Sequence, residues 1–179
     1  MDVSTIMELA LNLGAGKAAF LLVKDIVFDT MFRDICKSNG CGNYGKCYMC
    51  PPDVGEIGEL IEKAKAYENA VMYQAVYAIE DSFDFEGMQA AGNDFNHCSR
   101  RIHEKAKEMF QGPFLHLAAG GCRVCETCAK RDHLPCRSPG EALASLEAYG
   151  VDVYRTSKSA ELKYTNGENT VTYFGMLLF

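Results

Sequence analysis

Eight cysteines in two tight groups constrain this chain more than any other feature. The first group runs Cys36-x4-Cys41-x5-Cys47-x2-Cys50, and the second runs Cys122-x2-Cys125-x2-Cys128-x7-Cys136; each fits within 15 residues. Free cysteine often serves as a small buried hydrophobe. Both segments are instead rich in Gly, Pro, Asn and charge, so core packing explains them poorly. A ninth cysteine, Cys98, makes the count odd and excludes complete internal pairing. Four thiols in each of two short segments is the arithmetic of two four-thiolate metal sites.

The rest of the composition is that of an ordinary globular protein. With 179 residues and 48% apolar side chains, one domain over 1–179 is expected. No apolar run approaches the roughly 20 residues that span a bilayer, and the start of the chain lacks a basic signal-peptide region. The expected location is therefore the reducing cytoplasm, where stable disulfides are rare. Eighteen Lys and Arg against 24 Asp and Glu give a net charge of −6, which argues against nucleic acid and anionic membranes as partners. A redox partner protein, or a second copy of the chain, remains open.

Spacing separates the candidate metals better than charge. Cys122-x2-Cys125-x2-Cys128 is the three-cysteine run that wraps a cubane in bacterial ferredoxins, although here the fourth cysteine follows seven residues later, after Pro135. Structural zinc more often takes two separated pairs. In the first group Cys50 is followed by Pro51, as beside cubanes, yet Cys36/Cys41 and Cys47/Cys50 also read as two zinc knuckles. The expected cofactors are two [4Fe–4S] clusters, with two Zn2+ ions as the alternative. Complete ligation favours electron transfer; a third reading, an iron–sulfur enzyme, needs one cluster left open at Cys36 or Cys136. Each group also precedes a capping pattern, Asp53 to Glu56 and Ser138-Pro139-Gly140-Glu141, which predicts a helix start beside each site.

Periodicity supplies an α+β framework: a mixed sheet of about five strands, packed helices and two cysteine-rich metal-binding loops. Helices are expected over 4–12, from Val54 to Ala64, from Phe85 to Met109 and from Glu141 to Tyr149. Strands are expected over Phe20–Phe28, Ala70–Ile79 and Phe114–Ala118. A final hairpin pairs Glu161–Tyr164 with Thr170–Leu178 around Asn166-Gly167. Cys98 falls on the apolar stripe of the longest helix, which makes it a core thiol. His97 and His103, six apart, do not share a face and make a poor metal pair. Gly14-Ala15-Gly16-Lys17 lacks the first glycine and the Ser or Thr of a phosphate loop. No Ser/His/Asp spacing and no His-Glu-x-x-His is present.

Several longer patterns resemble a family of small prokaryotic proteins described only as predicted metal-binding. They include Phe28-Asp29-x-x-Phe32-Arg33-x-x-Cys36 and Cys41-Gly42-x-Tyr44-Gly45-x-x-Tyr48-x-Cys50-Pro51-Pro52. Others are Gly121 through Cys128, Pro135-Cys136-Arg137-x-Pro139, Ser145 through Val153, and Val171-Thr172-Tyr173-Phe174-Gly175. Tyr48 stands where that family often has Trp. The resemblance runs from about Phe20 to the C-terminus and implies metal binding through the cysteines, without naming a reaction.

Overall fold

In the computed structural model, which describes residues 2–179, a five-stranded mixed sheet separates two helical layers. The strands are β1 (Lys17–Leu22), β2 (Asn69–Ala78), β3 (Leu115–Ala118), β4 (Ala144–Ser145) and β5 (Thr170–Leu178). Their order is β1-β2-β5-β3-β4, antiparallel throughout except for the parallel β3/β4 pair. The helices are α1 (Val3–Asn12), α2 (Phe32–Lys37), α3 (Ile57–Lys65), α4 (Phe85–Met109) and α5 (Val153–Ser159).

Central strands bury both faces, which is why β2 reads as a nearly continuous apolar run. Val71, Tyr73 and Ala75 join Ile6, Ala10, Phe95, Ile102 and Ala106 in the layer formed by α1 and α4. Ala70 and Met72 face the opposite layer with Leu60, Leu117, Leu146, Val153, Phe174 and Met176. The stripe on α4 holds from Ala91 to Ala106, with Cys98 buried on it, whereas Phe85 in the first turn is exposed and Met88 and Met109 are only half-buried. Asp84 caps this helix by accepting a 2.8 Å hydrogen bond from the Gly87 N–H. Tyr73 pairs across the ladder with Gly175, where any β-carbon would fall 2.3 Å from the Tyr73 ring. The glycine thus lets the Tyr73 ring lie flat across β5.

Four expectations change. The first strand begins earlier and ends at Leu22, because Val23–Asp25 forms a 3-10 turn; Phe28 keeps only an isolated bridge to Val151. The segment from Glu141 to Tyr149 is not a helix. The open edge of β3 recruits Ala144–Ser145 as a strand, and Glu147–Tyr149 closes as a 3-10 turn ended by left-handed Gly150. The Asn166-Gly167 turn forms no hairpin, since β5 pairs with β2 and β3 and 161–164 stays outside the sheet. Finally, α2 and α5 appear where no helix was expected; Asp152 caps α5 through the Arg155 N–H at 2.9 Å.

A polar cluster sits inside the α4 layer. The Tyr73 hydroxyl lies 2.8 Å from Ser99 Oγ and 2.7 Å from His116 Nε2, and the His116 and His103 rings lie 5.5 Å apart. Burial, and then the neighbouring His103, hold the His116 pKa well below its ordinary 6.5; burial also lowers that of His103. The unfolded chain therefore takes up these protons first. Their contribution to stability is full above about pH 6.5 and is lost as the pH falls, at up to about 1.4 kcal/mol per pH unit for His116. Urea midpoints measured from pH 7.5 to 5.5 should drop toward acid, with a flatter slope in His116→Gln. An identical slope in wild type and variant overturns this assignment.

Candidate metal centre

The two cysteine segments meet at one end of the sheet. Cys36 lies in the last turn of α2, and Cys41, Cys47 and Cys50 follow on a loop shaped by left-handed Gly42 and Gly45. That loop closes on itself through Gly45 N–H to Pro51 O (2.9 Å) and Cys50 N–H to Cys47 O (3.0 Å). The buried Arg33 guanidinium fastens it to α2 by donating to Gly55 O at 2.8 Å. The second segment leaves β3 through Gly120, which adopts φ +68°, and Gly121. It makes a 3-10 turn over Ala129–Asp132, and Arg137 donates to Thr127 O at 3.1 Å, which turns Cys136 back toward its group. Cys122, Cys125, Cys128 and Cys136 all line one recess of about 20 Å3.

Gly121 sets the approach of the two loops. A β-carbon there would lie 2.9 Å from Asn43 Nδ2 and 3.5 Å from Cys50 Sγ, so only glycine admits the first loop this closely. Tyr48 donates its hydroxyl to Leu134 O at 2.8 Å, and Lys130 pairs with Asp53 while its ammonium sits 5.3 Å from the Tyr48 ring centroid. Asp53, expected as a helix cap, serves this ion pair instead, and α3 starts at Ile57 behind an uncapped Glu56. The second expected cap at Ser138 has no helix to serve. Neither group therefore abuts a helix N-terminus.

Cys47 stands at the seam. The Cys50 thiol, then the N–H groups of Met49 and Cys122 and the Cys128 thiol, favour its thiolate and bring it down to about 6. Cys50 moves up, first through Cys47 and then through burial, and Cys41 and Cys36 add to the effect. Burial pushes Cys122 up to about 11. Cys36 is raised by burial and by Cys41; of its other neighbours, Arg33 lowers it and Glu147 raises it. Sequence reading passed over Asn43 and met Arg33 and Glu147 only within longer patterns, without a role, since none of the three carries a ligand-type spacing. All nine cysteines are free, Cys41 is the exposed one, and Cys36 and Cys136 are half-buried. Among the described residues, no three His, Cys, Asp or Glu side chains converge closely enough to hold a single ion. His97 and His103 likewise form no such group.

Beside the thiols opens a polar cleft of about 700 Å3. Its walls are one face of α4 and both cysteine loops, with Cys41, Cys122 and Cys125 at the lining.

This fold and these thiols define a cysteine-rich α+β protein whose two four-cysteine loops are packed against each other. No helix among the described residues is long and apolar enough to cross a membrane. Residues 19–179 match the family described as "Predicted metal-binding protein (DUF2284)", and the chain belongs to that family. No curated protein and no solved structure matches it.

Proposed function

We propose that this protein carries two [4Fe–4S] clusters, one on Cys36, Cys41, Cys47 and Cys50 and one on Cys122, Cys125, Cys128 and Cys136, and that it transfers electrons in the cytoplasm. The observation that carries the reading is the ferredoxin-like run Cys122-x2-Cys125-x2-Cys128, with Cys136 folded back so that all four thiols line one recess. The donor set suits iron–sulfur chemistry: thiols alone, with backbone N–H groups of Met49 and Cys122 directed at the Cys47 sulfur. Such N–H donors tune the potential of a cluster. Complete ligation leaves no iron open to substrate, which favours electron transfer. Exposed Arg131, His133 and Arg137 offer an acidic redox partner a basic face.

One observation favours a second reading. The first group, Cys36-x4-Cys41 followed by Cys47-x2-Cys50, has the two-pair spacing of structural zinc sites. Two structural Zn2+ ions would then stabilise an interaction module. Protein purified without air distinguishes the two. The iron–sulfur reading expects about eight iron and eight sulfide per chain, with broad visible absorption and an EPR signal on reduction. About two zinc per chain with no acid-labile sulfide overturns it.

A further inference from the structure

We propose that the cleft between α4 and the two cysteine loops binds a small oxyanion-bearing molecule, carboxylate or phosphate, on the Arg123 guanidinium. The inference goes beyond the proposed electron-transfer role and stands whichever metal the thiols hold.

Arg123 leans against the side of α4, where its Nη1 donates to Gln89 O at 3.2 Å and to Asn93 Oδ1 at 2.6 Å. Both acceptors are neutral. Glu126 lines the same cleft but forms no ion pair with Arg123, and none of the ion pairs among the described residues includes it. A guanidinium offers five N–H donors in a fork matched to a carboxylate or phosphate edge. Nη1 is engaged; the other edge carries no hydrogen-bond partner among the described residues.

Gly92 shows that this placement has a cost. Glycine inside a helix is less favourable than alanine. A β-carbon at 92 would lie 3.2 Å from Arg123 Nη2 and 3.2 Å from Tyr173 Oη. The helix therefore gives up stability to seat these two side chains against its backbone, where Tyr173 donates to Met88 O at 2.7 Å. Asn43, Asn93 and His97 add further polar groups at the lining, which is donor-rich with one acid. The volume of about 700 Å3 suits a metabolite-sized ligand. Cys41, the exposed thiol, borders the same space, so a bound anion would sit next to both metal-binding loops.

Titration calorimetry on metal-loaded protein, with succinate in one arm and inorganic phosphate in the other, tests the site. One or both should bind saturably at one per chain, and the arm that binds identifies the source of the oxyanion. Asn93→Asp supplies Arg123 with an internal carboxylate and should weaken binding about tenfold or more, with metal content unchanged. Gly92→Ala, a favourable change for the helix itself, should weaken it in the same direction by displacing the guanidinium. Absence of saturable heat with either anion overturns the proposal, as does wild-type affinity in both variants; Arg123 would then serve only to offset thiolate charge. Metal content is read separately in every sample, so failure here is distinct from failure of the iron–sulfur reading.

Discussion

Cys128→Ser should lose the metal of the second site and melt well below the parent protein. Cys128 lines the recess with Cys122, Cys125 and Cys136, and it also faces Cys47 of the other loop. A serine hydroxyl is a far poorer ligand than a thiolate at neutral pH. A metal present at about a thousand times its dissociation constant contributes about 4 kcal/mol to the folded state. At about 2–4 °C per kcal/mol for a chain of this size, Tm should fall by roughly 8–16 °C. Cys98→Ala serves as the control: that thiol lies on the α4 stripe, so metal content should stay at the parent value. Elemental analysis with a thermal melt reads both outcomes. Full metal content in Cys128→Ser removes this cysteine from the ligand set, and metal loss in Cys98→Ala defeats the core assignment.

Phe95→Ala should produce a loss of similar size by a different route. The ring is fully buried and stacks between Tyr73 and Tyr173, with both centroids 5.7 Å away. Truncating a buried phenylalanine costs about 3–5 kcal/mol through lost transfer energy and the cavity left behind. The matching drop in Tm is roughly 6–20 °C. Because α4 is tied to the β3 exit by Asn96, which donates to Gly92 O and Ala119 O, the damage stays in the helix–sheet joint. At low temperature the variant should therefore keep its metal. Chemical unfolding gives the magnitude; a change below about 1 kcal/mol would mean that neighbouring rings refill the space.

Elements whose pattern and packing agree were legible before any coordinates. The stripe of α4 from Ala91 to Ala106 and the apolar run of β2 bury the side chains their patterns dictate, and β5 forms over the residues expected of it. The failures occur where tertiary demand outweighs local preference. Residues 141–149 carry a helix-like stripe, yet β3 would be left with an open edge, and Ala144 pairs with Leu117 instead. The short α2 has too few turns to show a period, and its visible role is to present Arg33 and Cys36. For the site, spacing located both thiol groups, but their mutual contact was not readable. That contact rests on Gly121 meeting Asn43 and on Tyr48 reaching Leu134, pairs separated by about eighty positions that leave no local signal.

The strand order carries a consequence for biogenesis. β5 occupies residues 170–178, yet among the described residues it is the strand that joins the β1–β2 pair to the β3–β4 pair. A nascent chain can therefore make the first ribbon and both cysteine loops long before the centre of the sheet exists. The two ribbons become one sheet only when β5 inserts between β2 and β3. Its pairings with β2 and β3 join parts of the chain far apart in sequence, and such long-range pairing is of the slow-forming kind.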